Sequence, residues 1–158
     1  MGRSGVTNAA PAEAATEDAA AAPVGWRPIA VLAALVLGTA NLYGIGVLLP
    51  YFVNDLHHLP LIEVADGAGP HDANNLWPQN AWAGPVILAG RTAIACGPFV
   101  ALTGIGVGIV WLLALLRGPA PWRFAKSLAL LLIVAGCVAA LLFLFSTTGA
   151  LLREWRVD

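Results

Sequence analysis

Three long apolar segments constrain the fold of this chain more than any other feature of its sequence. They cover residues 29–49, 92–116 and 128–145, and each approaches the ~20 residues with which a helix crosses a hydrocarbon core of ~30 Å. Only 11% of the residues are charged, against about 25% in soluble domains. Inside lipid, backbone polar groups have to bond within their own helix. The sequence therefore predicts an all-α integral membrane protein, a small bundle of three transmembrane helices that span about 29–50, 92–116 and 126–147.

The segments outside the spans divide the chain further. Residues 1–25 contain no aromatic residue and no periodic apolar face, so burial cannot offset the entropy lost on ordering them. We expect a disordered cytoplasmic tail at 1–25, a transmembrane domain at 26–152 that includes an extracytoplasmic loop at 54–84, and a short C-terminal tail at 153–158.

The direction of the helices follows from the basic residues in the short connections, which favour the cytoplasmic side. Arg117, Arg123 and Lys126 lie between the second and third spans, whereas the connection 54–84 contains four carboxylates and no Lys or Arg. This pattern predicts a cytoplasmic N-terminus and an extracytoplasmic C-terminus, although two arginines near the C-terminus count against it. The Ala-rich composition suits a bacterial plasma membrane, in which the chain would be a multi-pass protein surrounded by the lipid bilayer.

The second apolar stretch is longer than one span, since it already begins at residue 86 and a helix rises ~1.5 Å per residue. Arg91 resolves the excess if it lies at the outer interface and raises its guanidinium toward the headgroups, so that the span starts at residue 92. The alternative is a buried functional charge. Pro98 lies inside the span and lacks a backbone N–H, so we expect a kink there.

Each span carries a face of small residues, which lets helix backbones approach in lipid, where hydrophobicity does not drive helices together. Asn41 is the one strongly polar side chain near the middle of a span, and we expect its amide to bond across to another helix. An Ala- and Gly-rich composition alone is the alternative explanation of the faces. Gly104→Leu should disrupt the packing. The predicted helix-packing residues are Gly38, Asn41, Gly97, Ala101, Gly104, Gly108 and Gly136.

The connection 54–84 holds all three histidines of the chain, His57, His58 and His71, with Asp72 directly after the third. Imidazole and carboxylate ligands suit zinc or copper. Adjacent histidines, however, point in different directions on a helix or strand, and they converge on one ion only from irregular backbone. We expect a solvated loop without a metal ion, and these four residues are the weak candidate ligands if one binds.

The sequence lacks the residues that several classes of membrane protein need for catalysis or transport. The deep parts of the spans contain no Asp, Glu, His or Lys, whereas proton-coupled carriers and intramembrane proteases place ionisable groups there. No phosphate-binding loop or His-Glu-x-x-His pair is present, and no basic patch is dense enough for nucleic acid. We expect neither enzymatic activity nor a cofactor.

Two functional interpretations stay open. The favoured one is an accessory or assembly subunit that packs against itself or another membrane protein through its small-residue helix faces. The alternative is an extracytoplasmic module that binds or senses a metal or another ligand with the histidines and carboxylates of the loop 54–84.

Overall fold

The computed structural model describes residues 24–66, 76–79, 81–117 and 123–157, and Arg123 only by its backbone. Within these ranges all regular secondary structure is helical. The predicted tail up to residue 23 and the candidate ligands His71 and Asp72 lie outside the described residues.

The fold consists of three long apolar helices and several short ones. The first long helix combines α1 (Trp26–Tyr43), a π-helical segment (Gly44–Leu48) and α2 (Leu49–Val53) into 28 continuous residues. The described chain continues through a 3-10 turn (Leu56–His58), α3 (Leu61–Ala65), α4 (Ala83–Arg117), α5 (Arg123–Leu144) and α6 (Thr147–Val157). The helices Trp26–Val53, Ala83–Arg117 and Phe124–Leu144 are long and apolar enough to cross a membrane. The predicted all-α fold with three candidate membrane spans is confirmed.

The π-helical segment has a local cause in Pro50. A proline cannot donate to the carbonyl four residues earlier and clashes with it in a regular α-helix, and here that carbonyl belongs to Gly46. The backbone widens just before the proline, and the Leu49 N–H donates to the Gly44 carbonyl, five residues back. The helix passes Pro50 without ending.

Two of the long helices extend beyond the predicted spans. The 35 residues of α4 correspond to about 52 Å, well over a hydrocarbon core of ~30 Å. Gly46 approaches the backbone of Gly90 closely, so the two glycines lie at one level, and Gly46 is about 30 Å along its helix from Trp26. The residues beyond this level on both helices therefore lie more than about 30 Å from Trp26 along the bundle. Arg91 directly follows Gly90, and its position at the outer interface stays a prediction.

The central helix α4 packs between α1 and α5, and its small residues make the contact. A Cβ on Gly104 would lie 2.6 Å from Cys137 Sγ of α5 and 3.5 Å from Val36 Cγ2 of α1. The three helices can approach this closely only because Gly104 has no side chain. The small-residue stripe of α4 is buried inside the chain, and its members are Ala93, Gly97, Ala101, Gly104 and Gly108.

The C-terminal residues form a helix where the sequence predicts the end of a span and a short tail. The chain turns at Phe145 and Ser146, where Ser146 Oγ accepts a hydrogen bond of 3.1 Å from the Gly149 N–H. This is the bond that a serine makes at a helix N-cap. The new helix, α6, packs against α3, against the N-terminal part of α4 and against the C-terminal end of α5. Together they form a cap whose core contains Val47, Tyr51, Leu56, Val64, Leu152 and Trp155.

Candidate functional site

The outward face of α1 is the first candidate site, because its small residues are left uncovered. The same helix buries Ile29 and Leu32 against the bundle. A Cβ added to Gly38 would meet nothing within 4 Å. We call this surface the α1 face, and it consists of the exposed residues Ala30, Ala34, Gly38 and Asn41.

Asn41 does not bond to another helix of this chain, contrary to expectation. Its Nδ2 donates to the Leu37 carbonyl of its own helix at 2.8 Å. The side chain is exposed, and no described residue bonds its carbonyl oxygen or its second N–H. Asn41 lies near the middle of the helix Trp26–Val53, where hydrocarbon offers no hydrogen bond and an unpaired amide is costly. The amide therefore makes the α1 face a candidate contact surface.

The predicted helix-packing residues thus separate into two groups. Gly97, Ala101, Gly104 and Gly108 are buried between the helices of this chain. Gly38, Asn41 and Gly136 are exposed, and an added Cβ on Gly136 meets nothing within 4 Å. Spacing alone predicts both groups equally well, since it does not tell which face of a helix meets a neighbour.

The cap contains a buried arginine that sequence reasoning treats as a surface charge. Arg156 is 3% exposed, and its guanidinium lies 5.9 Å from the ring centroid of Trp155. A Cβ on Gly90 would lie 3.2 Å from its Nε. Burial, together with the positive charge of Arg91, lowers the pKa of Arg156 from its usual range. Arg156 therefore packs inside the cap.

A third candidate site lies just after the first long helix, in the loop that carries the histidines. Asp55 adopts a left-handed conformation with φ 57°, which turns the chain into the 3-10 helix. The rings of His57 and His58 then lie 3.9 Å apart, measured between centroids. One ligand atom from each histidine and one from Asp55 lie within 4.8 Å of one another, and all three side chains are exposed.

The described part of this cluster adds Asp55 to the predicted His57 and His58, whereas His71 and Asp72 lie outside the described residues. The two adjacent histidines converge from irregular backbone, as sequence reasoning requires of them. Asp55 takes the position beside them, and the sequence contains no clear signal for it, because a left-handed aspartate is not visible in residue spacing. Two imidazoles and a carboxylate are ligands that zinc accepts.

Comparisons with known proteins find no family model, no curated protein and no solved structure that matches this chain. A small multi-pass membrane protein in contact with lipid is supported by its three long apolar helices.

Proposed function

We propose that this chain is a non-enzymatic subunit of a membrane assembly and that it packs through the α1 face against a second copy of itself or another membrane protein. The observation that carries the proposal is Asn41, whose amide is exposed near the middle of a membrane-spanning helix. A partner helix supplies the hydrogen-bond groups that hydrocarbon lacks, and such bonds are worth roughly 1 kcal/mol in membranes.

The shape of the α1 face supports the same role. Ala30, Ala34 and Gly38 project almost no side chain, so a second helix can approach the α1 backbone closely. The corresponding stripe on α4 is already covered by α1 and α5. The α1 face is therefore a small-residue surface that is free for an intermolecular contact.

The experiment is the purification of the full chain in a mild detergent, followed by sedimentation to measure the mass of the complex. We expect an oligomer or a copurifying membrane protein. Asn41→Leu should raise the dissociation constant about fivefold, which corresponds to the roughly 1 kcal/mol of an interhelical hydrogen bond. Leu102→Ala is the matched control, because Leu102 is 58% exposed on α4 and lies away from the α1 face. A wild-type monomer without a partner, or equal effects of the two substitutions, would contradict the proposal.

The second candidate function is the binding of a divalent cation by Asp55, His57 and His58 in the predicted extracytoplasmic loop. The observation that favours it is the convergence of three ligand atoms within 4.8 Å. Calorimetry of the full chain in detergent should detect zinc or copper at micromolar concentration, and the double variant His57→Ala with His58→Ala should abolish the heat. Glu63→Ala, an exposed carboxylate on α3, is the control. Absence of heat from the wild-type chain removes this candidate, and the assembly role should survive the double variant.

A further inference from the structure

An apolar groove runs between α1 and α5, and α4 forms its floor. One part of it is a cavity of about 220 Å³, which continues into a second cavity through the shared residues Val36, Leu37 and Gly136. The groove exists because Ala40, Gly97 and Ala140 present little or no side chain to it. Leu37, Ala40, Gly136 and Ala140 are exposed, so the groove is open to the surrounding lipid.

The length of the groove corresponds to one leaflet of a bilayer. It runs along α1 from Ala33 to Tyr43, which is about 15 Å at ~1.5 Å per residue. Tyr43 lies three residues, about 4.5 Å, before Gly46 on the first long helix. With Trp26 and Gly46 at the two boundaries of a core of ~30 Å, the groove lies mostly in the half of the core nearer Gly46. An acyl chain has this reach, whereas a partner helix would follow the bundle through both leaflets.

The end of the groove nearest Gly46 holds the polar Tyr43 hydroxyl and lies close to a basic residue of α6. Tyr43 lines it, and the Tyr43 hydroxyl has no hydrogen-bond partner among the residues that the structure describes. Arg153 lies on α6, which contacts α5 and the π-helical segment directly after Tyr43, and its charge acts on the Tyr43 hydroxyl. Arg153 is exposed, and the structure gives it no ion pair or hydrogen bond with another described residue. A positive charge on α6 therefore lies near the Tyr43 end of the apolar groove.

We propose that this groove binds one acyl chain of an anionic phospholipid whose phosphate lies at Arg153. The apolar lining fits the chain, the depth fits one leaflet, and the charge of Arg153 complements the phosphate. A basic residue near a membrane surface contributes about 1 kcal/mol to the attraction of anionic lipid. The lipid site does not depend on the proposed assembly role, since it occupies the groove and leaves the α1 face uncovered.

The test is native mass spectrometry of the full chain, extracted from vesicles that contain equal amounts of phosphatidylglycerol and phosphatidylcholine. We expect one retained phosphatidylglycerol for each chain. Arg153→Gln should lower its retention about fivefold, and Glu154→Gln is the control on the same helix. Ala140→Phe should fill the groove and lower the retention at least as much, whereas Ala139→Phe places the same ring on an exposed position of α5 outside the groove.

Three results would overturn the proposal. The first is equal retention of the two lipids by the wild-type chain. The second is equal retention by the Ala140→Phe and Ala139→Phe variants. The third is a change in oligomer mass without a change in lipid retention in Ala140→Phe, which would assign the groove to a second copy of the chain. Ala40→Phe fills the groove from α1 and replaces Ala140→Phe if that variant does not fold.

Discussion

Glycines on one helix have opposite surroundings in this protein, and the difference shows what the small-residue pattern does. Gly104 faces α5, where an added Cβ would lie 2.6 Å from Cys137 Sγ. Gly106, two residues further along α4, is exposed and has nothing within 4 Å of an added Cβ. Both residues belong to the same apolar span. Only the first permits the close approach of two helices.

This contrast gives a prediction for the stability of the bundle. Gly104→Leu should lower the free energy of unfolding by about 1–3 kcal/mol, because the larger side chain overpacks the contact between α4 and α5. Gly106→Leu, the matched control, should leave it nearly unchanged. Thermal unfolding of both variants in the same detergent, followed by tryptophan fluorescence, measures the difference. Equal unfolding temperatures for the two variants would contradict the packing of α4 described above.

At the scale of elements, α6 is the helix that hydropathy does not reveal. Its length is 11 residues, too short for a span, and its charged residues suggest a tail. The spacing of Leu152 and Trp155 places both on one face, and both are buried in the core of the cap. The partners on α2 and α3 lie far away in the sequence, so the pattern becomes interpretable only once the chain has folded back.

The cap gives a prediction that two adjacent leucines can test. Leu152 is 3% exposed, and Leu152→Ala should cost about 2–5 kcal/mol, as other buried leucines do. Leu151 is only partly buried, so Leu151→Ala should cost less. Hydrogen exchange of the α6 amides in detergent should accelerate strongly in the first variant and weakly in the second. The same exchange rates in both variants would show that α6 is not held by the core of the cap.

For the whole molecule, the direction in the membrane stays a prediction from the loop charges, and the fold weakens the main objection to it. Arg153 and Arg156 would favour a cytoplasmic C-terminus if both were free in a tail. Arg156 is instead buried in the cap, beside Trp155 and Gly90. The loop arginines between α4 and α5 are then the stronger signal, and they favour the cytoplasmic side.

Labelling with a membrane-impermeant maleimide tests this direction in a Cys96→Ser background, in which Cys137 stays buried. Glu154→Cys lies on an exposed position of α6 and should react in intact cells. Arg117→Cys lies at the end of α4 and should react only after the membrane is permeabilised. The reverse pattern would place the N-terminus and the C-terminus on the sides opposite to those predicted.

The sequence by itself determined three helices that are long and apolar enough to span a membrane, because transfer of a residue into lipid is a local property that sums along a segment. It also predicts that Arg91 lies near a boundary, since a guanidinium is costly in hydrocarbon. Only the tertiary structure decided that the small residues of α4 face inward while Ala30, Gly38 and Asn41 of α1 face outward. It likewise decided that α6 folds back and that Asp55 joins His57 and His58. These features depend on which surfaces meet in space, and residue spacing along one helix does not contain that information.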